Sequence, residues 1–230
     1  MRTKIFDWHG SEVVALSCEG NGKNAEEQAQ DVFRRMDDEL RGLGLSLENT
    51  VRTRLWARDR DSRSTASQVR VKTLSGRSRA SSSSFIAPPA FDSESLVAFD
   101  LIAMRPSRPD TEKAIVEYDP PKVPCRYVTQ DSFVFLTGEE AKRMITSPDL
   151  AVQLEEIISL LGSSLTMAGA TWNEAFLVSC FLRRDQSPGD LKKYLHQYLQ
   201  ADVPLVECEV VDNYASQGGL LEVEVTARIA

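Results

Sequence analysis

The sequence predicts an α+β fold built as two tandem repeats, each a mixed sheet with two helices packed on one face. Three observations lead there. The order strand, helix, strand, helix, strand, strand runs twice along the 230 residues. A closing apolar strand, Leu96 to Met104, returns near the end as Leu220 to Ala227, with an acidic residue at the matching place, Asp100 and then Glu224. The stretch Leu45 to Asp59 lies on Thr171 to Asp185 without a gap, so that Glu48 meets Glu174 and Arg58-Asp59 meets Arg184-Asp185 at an offset of 126 (59 to 185).

Each element has its own local reason. Glu12 to Ser17 is a short apolar run closed by the turn signal Gly20-Asn21-Gly22. Asn24 caps a helix from Ala25 to Leu43, in which Ala29, Val32, Phe33, Met36 and Leu40 recur at three- and four-residue steps. Thr50 to Ala57 alternates Val51, Thr53 and Leu55 on one side with Arg52, Arg54 and Trp56 on the other. Asp61-Ser62 begin a weaker helix to about Leu74, and Ser81 to Ser84 open a polar strand that turns at Pro88-Pro89. In the second half Asp131 to Thr137 is the first strand, and Ser147-Pro148 open a helix striped by Leu150, Leu154, Ile157, Ile158 and Leu161. Ala175 to Leu182 is the next strand, Ser187-Pro188 open the second helix, and Val206 to Val211 and Leu220 to Ile229 finish the sheet. Between the halves, Arg105 to Pro124 holds Pro106, Pro109, Pro120, Pro121 and Pro124 without an apolar period. The expected domains are therefore 1–105 and 125–230, joined by a proline-rich linker at 106–124.

Composition narrows the function. Hydrophobic content of 42% and charged content of 27% are those of a globular protein, and a net charge of −7 argues against a nucleic-acid partner, despite the arginines clustered from Arg52 to Arg79. No apolar run approaches the roughly 20 residues of a membrane span, and no signal segment precedes the first strand, so a cytoplasmic location is expected. Cys18, Cys125, Cys180 and Cys208 are far apart and only His9 and His196 could join them, so neither a metal site nor a cofactor is expected, and the thiols read as reduced and mostly buried.

Three stretches together resemble the Rid (YjgF/YER057c/UK114) family, small proteins of the chorismate-mutase-like α+β fold. They are Leu47 to Asp59, with its Arg-Asp exit; the closing strands Phe99-Asp100-Leu101-Ile102-Ala103 and Glu222-Val223-Glu224-Val225-Thr226-Ala227; and Pro124 to Gln130 with Phe133 to Glu139. The resemblance covers nearly the whole chain as two copies. It implies hydrolysis of enamines and imines of 2-amino acids to 2-oxo acids and ammonia, in a homo-oligomer with sites at its interfaces. Three tandem chains would make a pseudo-hexamer; a dimer is the alternative.

By the same resemblance Asp100 and Glu224 take the acid–base position, Arg79 holds the substrate carboxylate with Arg77 as competitor, and Tyr127 and the backbone at Gly138 line the pocket. In the second half the arginine's place is filled by Pro204-Leu205-Val206-Glu207, and in the first half the tyrosine's place by Phe6-Asp7-Trp8-His9. A working site is therefore expected to be composite, with Arg79 from one half and Tyr127 and Glu224 from the other. Two alternatives stay open: a non-catalytic ligand-binding or assembly protein on the same scaffold, and a chorismatase-like hydrolase or lyase. Each residue also has a plainer role: Arg79 as an ion-paired strand-edge residue, Tyr127 as an interface aromatic, and Ser81 to Ser84 as strand packing without an activating base.

Overall fold

The computed structural model describes residues 1–108, 110–199 and 205–229; Pro109 and Pro204, used in the linker and repeat comparisons, lie outside the described residues. The chain divides into two compact units, Met1–Asp131 and Ser132–Ala230.

Unit 1 opens on a hairpin of β1 (Arg2–Trp8) and β2 (Ser11–Glu19), turned at His9 (φ 50°) and Gly10 (φ 89°), with the Asp7 carboxylate accepting from Gly10 N at 2.9 Å. The sequence reading found only the second of these strands. β1 is exposed along most of its length, so it carries no apolar alternation to announce it. Helix α1 (Ala25–Gly42) begins where Asn24 accepts from Glu27 N, and it buries Ala29, Val32, Phe33, Met36 and Leu40. Then come β3 (Thr50–Ala57), α2 (Arg60–Thr73, capped by Asp59), β4 (Ser81–Ile86) and β5 (Val97–Met104). The strands lie in the order β1-β2-β5-β3-β4, with β3 and β4 parallel and the other pairs antiparallel. Leu16 and Cys18 of β2, Leu55 and Ala57 of β3, and Phe99, Leu101 and Ala103 of β5 meet both helices in one core, where Phe33 tilts on Phe99 at a 4.7 Å centroid distance. A buried amide pins α1 to the start of β5: Gln28 Oε1 accepts from Leu96 N (2.7 Å) and Val97 N (3.3 Å).

The segment 106–124 carries β6 (Ala114–Val116), which pairs antiparallel with β7 (Tyr127–Gln130). Lys113 Nζ donates to Thr50 O at 2.6 Å, tying the segment to the start of β3.

Unit 2 contains β8 (Phe133–Leu136), β9 (Glu139–Glu140), α3 (Leu150–Met167), β10 (Ala175–Arg183), α4 (Pro188–Tyr198), β11 (Leu205–Val211), β12 (Asn213–Tyr214) and β13 (Leu221–Arg228). Its strands run β11-β10-β13-β8, with β9 also on β13. Two sequence boundaries move. Residues 131–132 form a turn, with Asp131 at φ 51°, a conformation aspartate tolerates, and the strand starts at Phe133. Helix α3 starts at Leu150, because the Asp149 carboxylate accepts from Ala151 N at 2.8 Å and takes over the capping position.

The two units share a pattern. In each, a central strand is parallel to one neighbour (β3 to β4, β10 to β11) and antiparallel to the closing strand (β5, β13), with one irregularity near its start, between Thr50 and Arg52 and between Ala175 and Leu177. Counting from it, Arg54 opposite Asp100 corresponds to Ser179 opposite Glu224, an offset of 125 (54 to 179). The gap-free sequence alignment, at 126, is one residue out here. A one-residue slip would exchange the faces of the strand.

Helix α3 is long and apolar enough, by length and composition, to cross a membrane. Here it is a core helix: Leu154, Ile157, Leu161 and Leu165 are fully buried. Glu156, also buried, turns back to accept from Lys142 N (3.1 Å), Arg143 N (3.0 Å) and Met144 N (2.8 Å). Burial disfavours the charged carboxylate, but the three amides and Arg143 outweigh it and hold its pKa below the usual range. Glu156→Gln should cost about 1–3 kcal/mol in denaturant unfolding at pH 7. The wild-type advantage is fully present above the unfolded-state pKa of about 4.3 and should vanish as pH falls through the lower folded value.

Candidate functional site

Alternation along β5 sends Phe99, Leu101 and Ala103 into the helix-covered core and turns Asp100 and Ile102 to the other face of the sheet. Strand register then sets Asp100 beside Ser17 of β2 and Arg54 of β3, with Arg2 of β1 opposite Ser17. This row crosses four strands and borders a cavity of about 310 Å³ that Lys4 and the fully buried Arg52 also line. Trp56 Nε1 donates to Asp100 Oδ2 at 2.6 Å, and the indole is held in turn against Phe85 at 5.0 Å between ring centroids. The carboxylate is thus oriented by a neighbour two residues along β3 from Arg54. The cavity combines one half-buried carboxylate with several cationic side chains, a set suited to a small anion beside a proton donor or acceptor.

A second cavity of unit 1, about 210 Å³, lies under the end of α2 and is lined by Thr53, Arg70, Leu74, Arg79, Ser82 and Cys125, among others. Arg70 donates to Ser83 O (2.7 Å) and Ser84 Oγ (2.8 Å), and Ser81 Oγ donates to Val51 O (2.9 Å), so the serine run packs the strand. Arg79 makes a two-point bond to Glu117, with Nη2 to Oε2 at 3.0 Å. Arg77 pairs at the surface with Glu48 (3.5 Å) and Glu112 (3.2 Å) and lines neither cavity.

Asp100 and Arg79 therefore border different cavities of one unit. Tyr127, on β7 opposite Val116, belongs to unit 1 as well; it is buried, which raises its phenol pKa, and it lines neither cavity. Glu224 and Gly138 lie in unit 2. Glu224 is 1% exposed and stands opposite Ser179. Gly138 precedes β9, and a Cβ there would run into the Glu222 side chain, so its backbone is packed on the carboxylate two residues before Glu224.

The residues the sequence reading passed over are Arg52 and Arg54. Their signal was present in the alternation of Thr50 to Ala57, which put both on one side of the strand, but only strand pairing shows that Asp100 shares that side. Lys113 had no signal at all. Burial lowers its amine to about 7, with Cys125 and Glu48 pulling the other way. Among the described residues no group of three His, Cys, Asp or Glu side chains could hold a metal ion.

No family model matches the chain, and no curated protein matches it. Solved structures do. A chorismatase crystal structure aligns over 94% of this chain and 74% of its own, with 13% identity and a TM-score of 0.66. A member of the YjgF/YER057c/UK114 family from Mycobacterium tuberculosis aligns over 51% of this chain and 100% of its own (17% identity, TM-score 0.45). A Rid-family protein from Yersinia pestis does so over 51% and 99% (17% identity, TM-score 0.46). At these identities the chorismatase likeness establishes the fold, an α+β architecture of two mixed sheets.

Cys125 donates to Ala80 O (3.6 Å), and burial pushes its thiol up to about 11 while Arg79 works against the shift, so it is no thiolate nucleophile at neutral pH. Cys18 and Cys180 are buried and raised for the same reason; Cys208 is raised as well, by partial burial and by Glu209, but it is exposed to solvent. Titration of the native protein with a disulfide reagent at pH 8 should therefore show one fast thiol, lost in Cys208→Ser, and three that react only on unfolding.

Proposed function

We propose that this chain is a small-molecule enzyme that hydrolyses an imine or enamine bearing a carboxylate, with Asp100 as the acid–base group and Arg54 as the carboxylate holder. The observation that carries this reading is the cross-strand pairing of Asp100 with Arg54 at one cavity, with the Asp100 carboxylate oriented by Trp56. The fold and the Rid-like motifs agree with it. The guanidinium fork grips one end of the substrate. The protonated Asp100 delivers its proton to the enamine carbon, and the carboxylate so formed takes one back from the water that adds to the iminium carbon; transfer of a proton from oxygen to nitrogen in the carbinolamine then releases ammonia and leaves the 2-oxo acid. Arg79, Tyr127, Gly138 and Glu224 are not needed for these steps within unit 1.

A second reading is favoured by one observation, the likeness to a chorismatase across both repeats. It makes the chain a hydrolase or lyase acting on a cyclic dicarboxylate such as chorismate, for which the several cations of the same cavity offer partners.

Assembly into three copies, or two, belongs to the proposal. Ile5 and Phe6 on the exposed β1 are 52% and 36% accessible, apolar surface that a neighbouring copy would cover. Light scattering on the eluting peak should give a multiple of the chain mass, and Ile5→Glu with Phe6→Glu should reduce it.

The activity test is release of ammonia and 2-oxo acid from freshly generated 2-aminoacrylate and 2-iminobutyrate, with chorismate consumption followed in parallel. Asp100→Asn should lower kcat by about 100-fold or more with little change in Tm, and Arg54→Ala should act mainly through KM. Absence of turnover on all three substrates by a folded wild type would leave a ligand-binding role instead.

A further inference from the structure

Cys180 and Cys208 stand 28 residues apart in the chain (180 to 208), yet the parallel pairing of β10 with β11 sets them directly opposite each other. In-register residues of neighbouring strands lie about 4.8 Å apart and project to the same side of the sheet. That spacing falls inside the roughly 4.4–6.8 Å between Cα atoms that a disulfide spans. The adjoining pair fixes the register from the other face, where Ser179 Oγ donates to Glu207 Oε2 at 3.2 Å. Burial raises the Cys180 thiol pKa and Cys208 raises it further, an influence that requires the two thiols to be near each other. The two ends of the pair differ in access. Cys180 is 1% exposed and is flanked on its face by the fully buried Val178 and Leu182, while Cys208 is exposed beside Val206 and Val210, which are 43% and 41% accessible. β11 also ends the strand order of its sheet, so among the described residues only the ladder to β10 restrains it.

We propose that Cys180 and Cys208 form an oxidant-responsive pair, in which a small disulfide such as oxidised glutathione is exchanged for a bridge between β10 and β11. Cys208 loses its proton to solvent, and its sulfur attacks one sulfur of the reagent, expelling one thiolate and leaving a mixed disulfide. The Cys180 thiol then gives up its proton and attacks the Cys208 sulfur, and the second thiolate departs. The chain loses two electrons and two protons, and the reagent becomes two thiols. Cys180 does not meet the reagent; it meets only the sulfur already carried on Cys208, so a disulfide reagent still counts a single fast thiol. Closure is the slower step, because a buried thiol held protonated is a poor nucleophile. Side chains of in-register parallel strands run side by side and not toward each other, so the bridge is strained and is readily reduced back to the dithiol.

The test is incubation of the full chain with oxidised glutathione at about pH 8.5, where more of each thiol is ionised, followed by denaturation in a thiol-blocking reagent and mass spectrometry. Wild type should pass through an adduct of one glutathione and end as a chain lighter than the reduced protein by two hydrogens, with peptide mapping that joins Cys180 to Cys208. Cys180→Ala should stop at the one-glutathione adduct, and Cys208→Ser should take none. Cys18→Ser and Cys125→Ser should close as the wild type does. The proposal is overturned by a wild-type adduct that persists as it does in Cys180→Ala, by a wild type left unmodified, or by a bridge to any other cysteine or to a second chain. Mapping of the wild type decides the matter even where Cys180→Ala fails to fold. Turnover at Asp100 enters none of these readings.

Discussion

The pairing of β5 with β3, past a single irregularity between Thr50 and Arg52, is the constraint on which unit 1 depends. It commits alternate residues of both strands to opposite faces at once. Leu55, Ala57, Phe99, Leu101 and Ala103 close the core under α1 and α2, and by the same step Arg54 and Asp100 become neighbours on the other face. The apolar burial stabilises the register, and the polar row comes with it. A register one residue away would turn Phe99 out of the core and lose about 1.5–3 kcal/mol for that side chain alone. The core therefore sets the register of the site, and the Trp56 bond then orients the Asp100 carboxylate within it.

The same device operates in unit 2 with a different result. Glu224 occupies the position of Asp100, but its cross-strand neighbour is Ser179 where unit 1 has Arg54. It is also buried almost completely, in a row with Glu222 and Thr226. Ser179 Oγ donates onward to Glu207 Oε2 at 3.2 Å, so the neighbouring strand supplies a further carboxylate and not an arginine. Two repeats with one backbone pattern thus differ across the strand pair, with an arginine opposite the acidic residue in one and a serine that leads to a further carboxylate in the other. That divergence is visible only after the strands are paired.

The proline-rich stretch between the repeats does more than connect them. Within unit 1 it supplies β6, the Lys113 tether on β3 and the Glu117 partner of Arg79.

The repeat, the helix faces and the two-sided character of β3 are determined by the sequence alone, since each rests on local periodicity: the stripe of α1, the alternation of Thr50 to Ala57, the acidic residue in each closing strand. β1 escaped it because an exposed edge strand buries nothing and so leaves no apolar alternation, and the capping of α3 by Asp149 shows how one side chain can shift a helix start by two residues. Which arginine stands beside Asp100 was decided by tertiary structure. Arg79 matches a family motif by position in the chain, but Arg54 reaches Asp100 because antiparallel pairing brings together residues 46 positions apart (54 to 100). Local pattern assigns a side chain to a face; only the register between strands, set by burying the whole core at once, assigns it a partner.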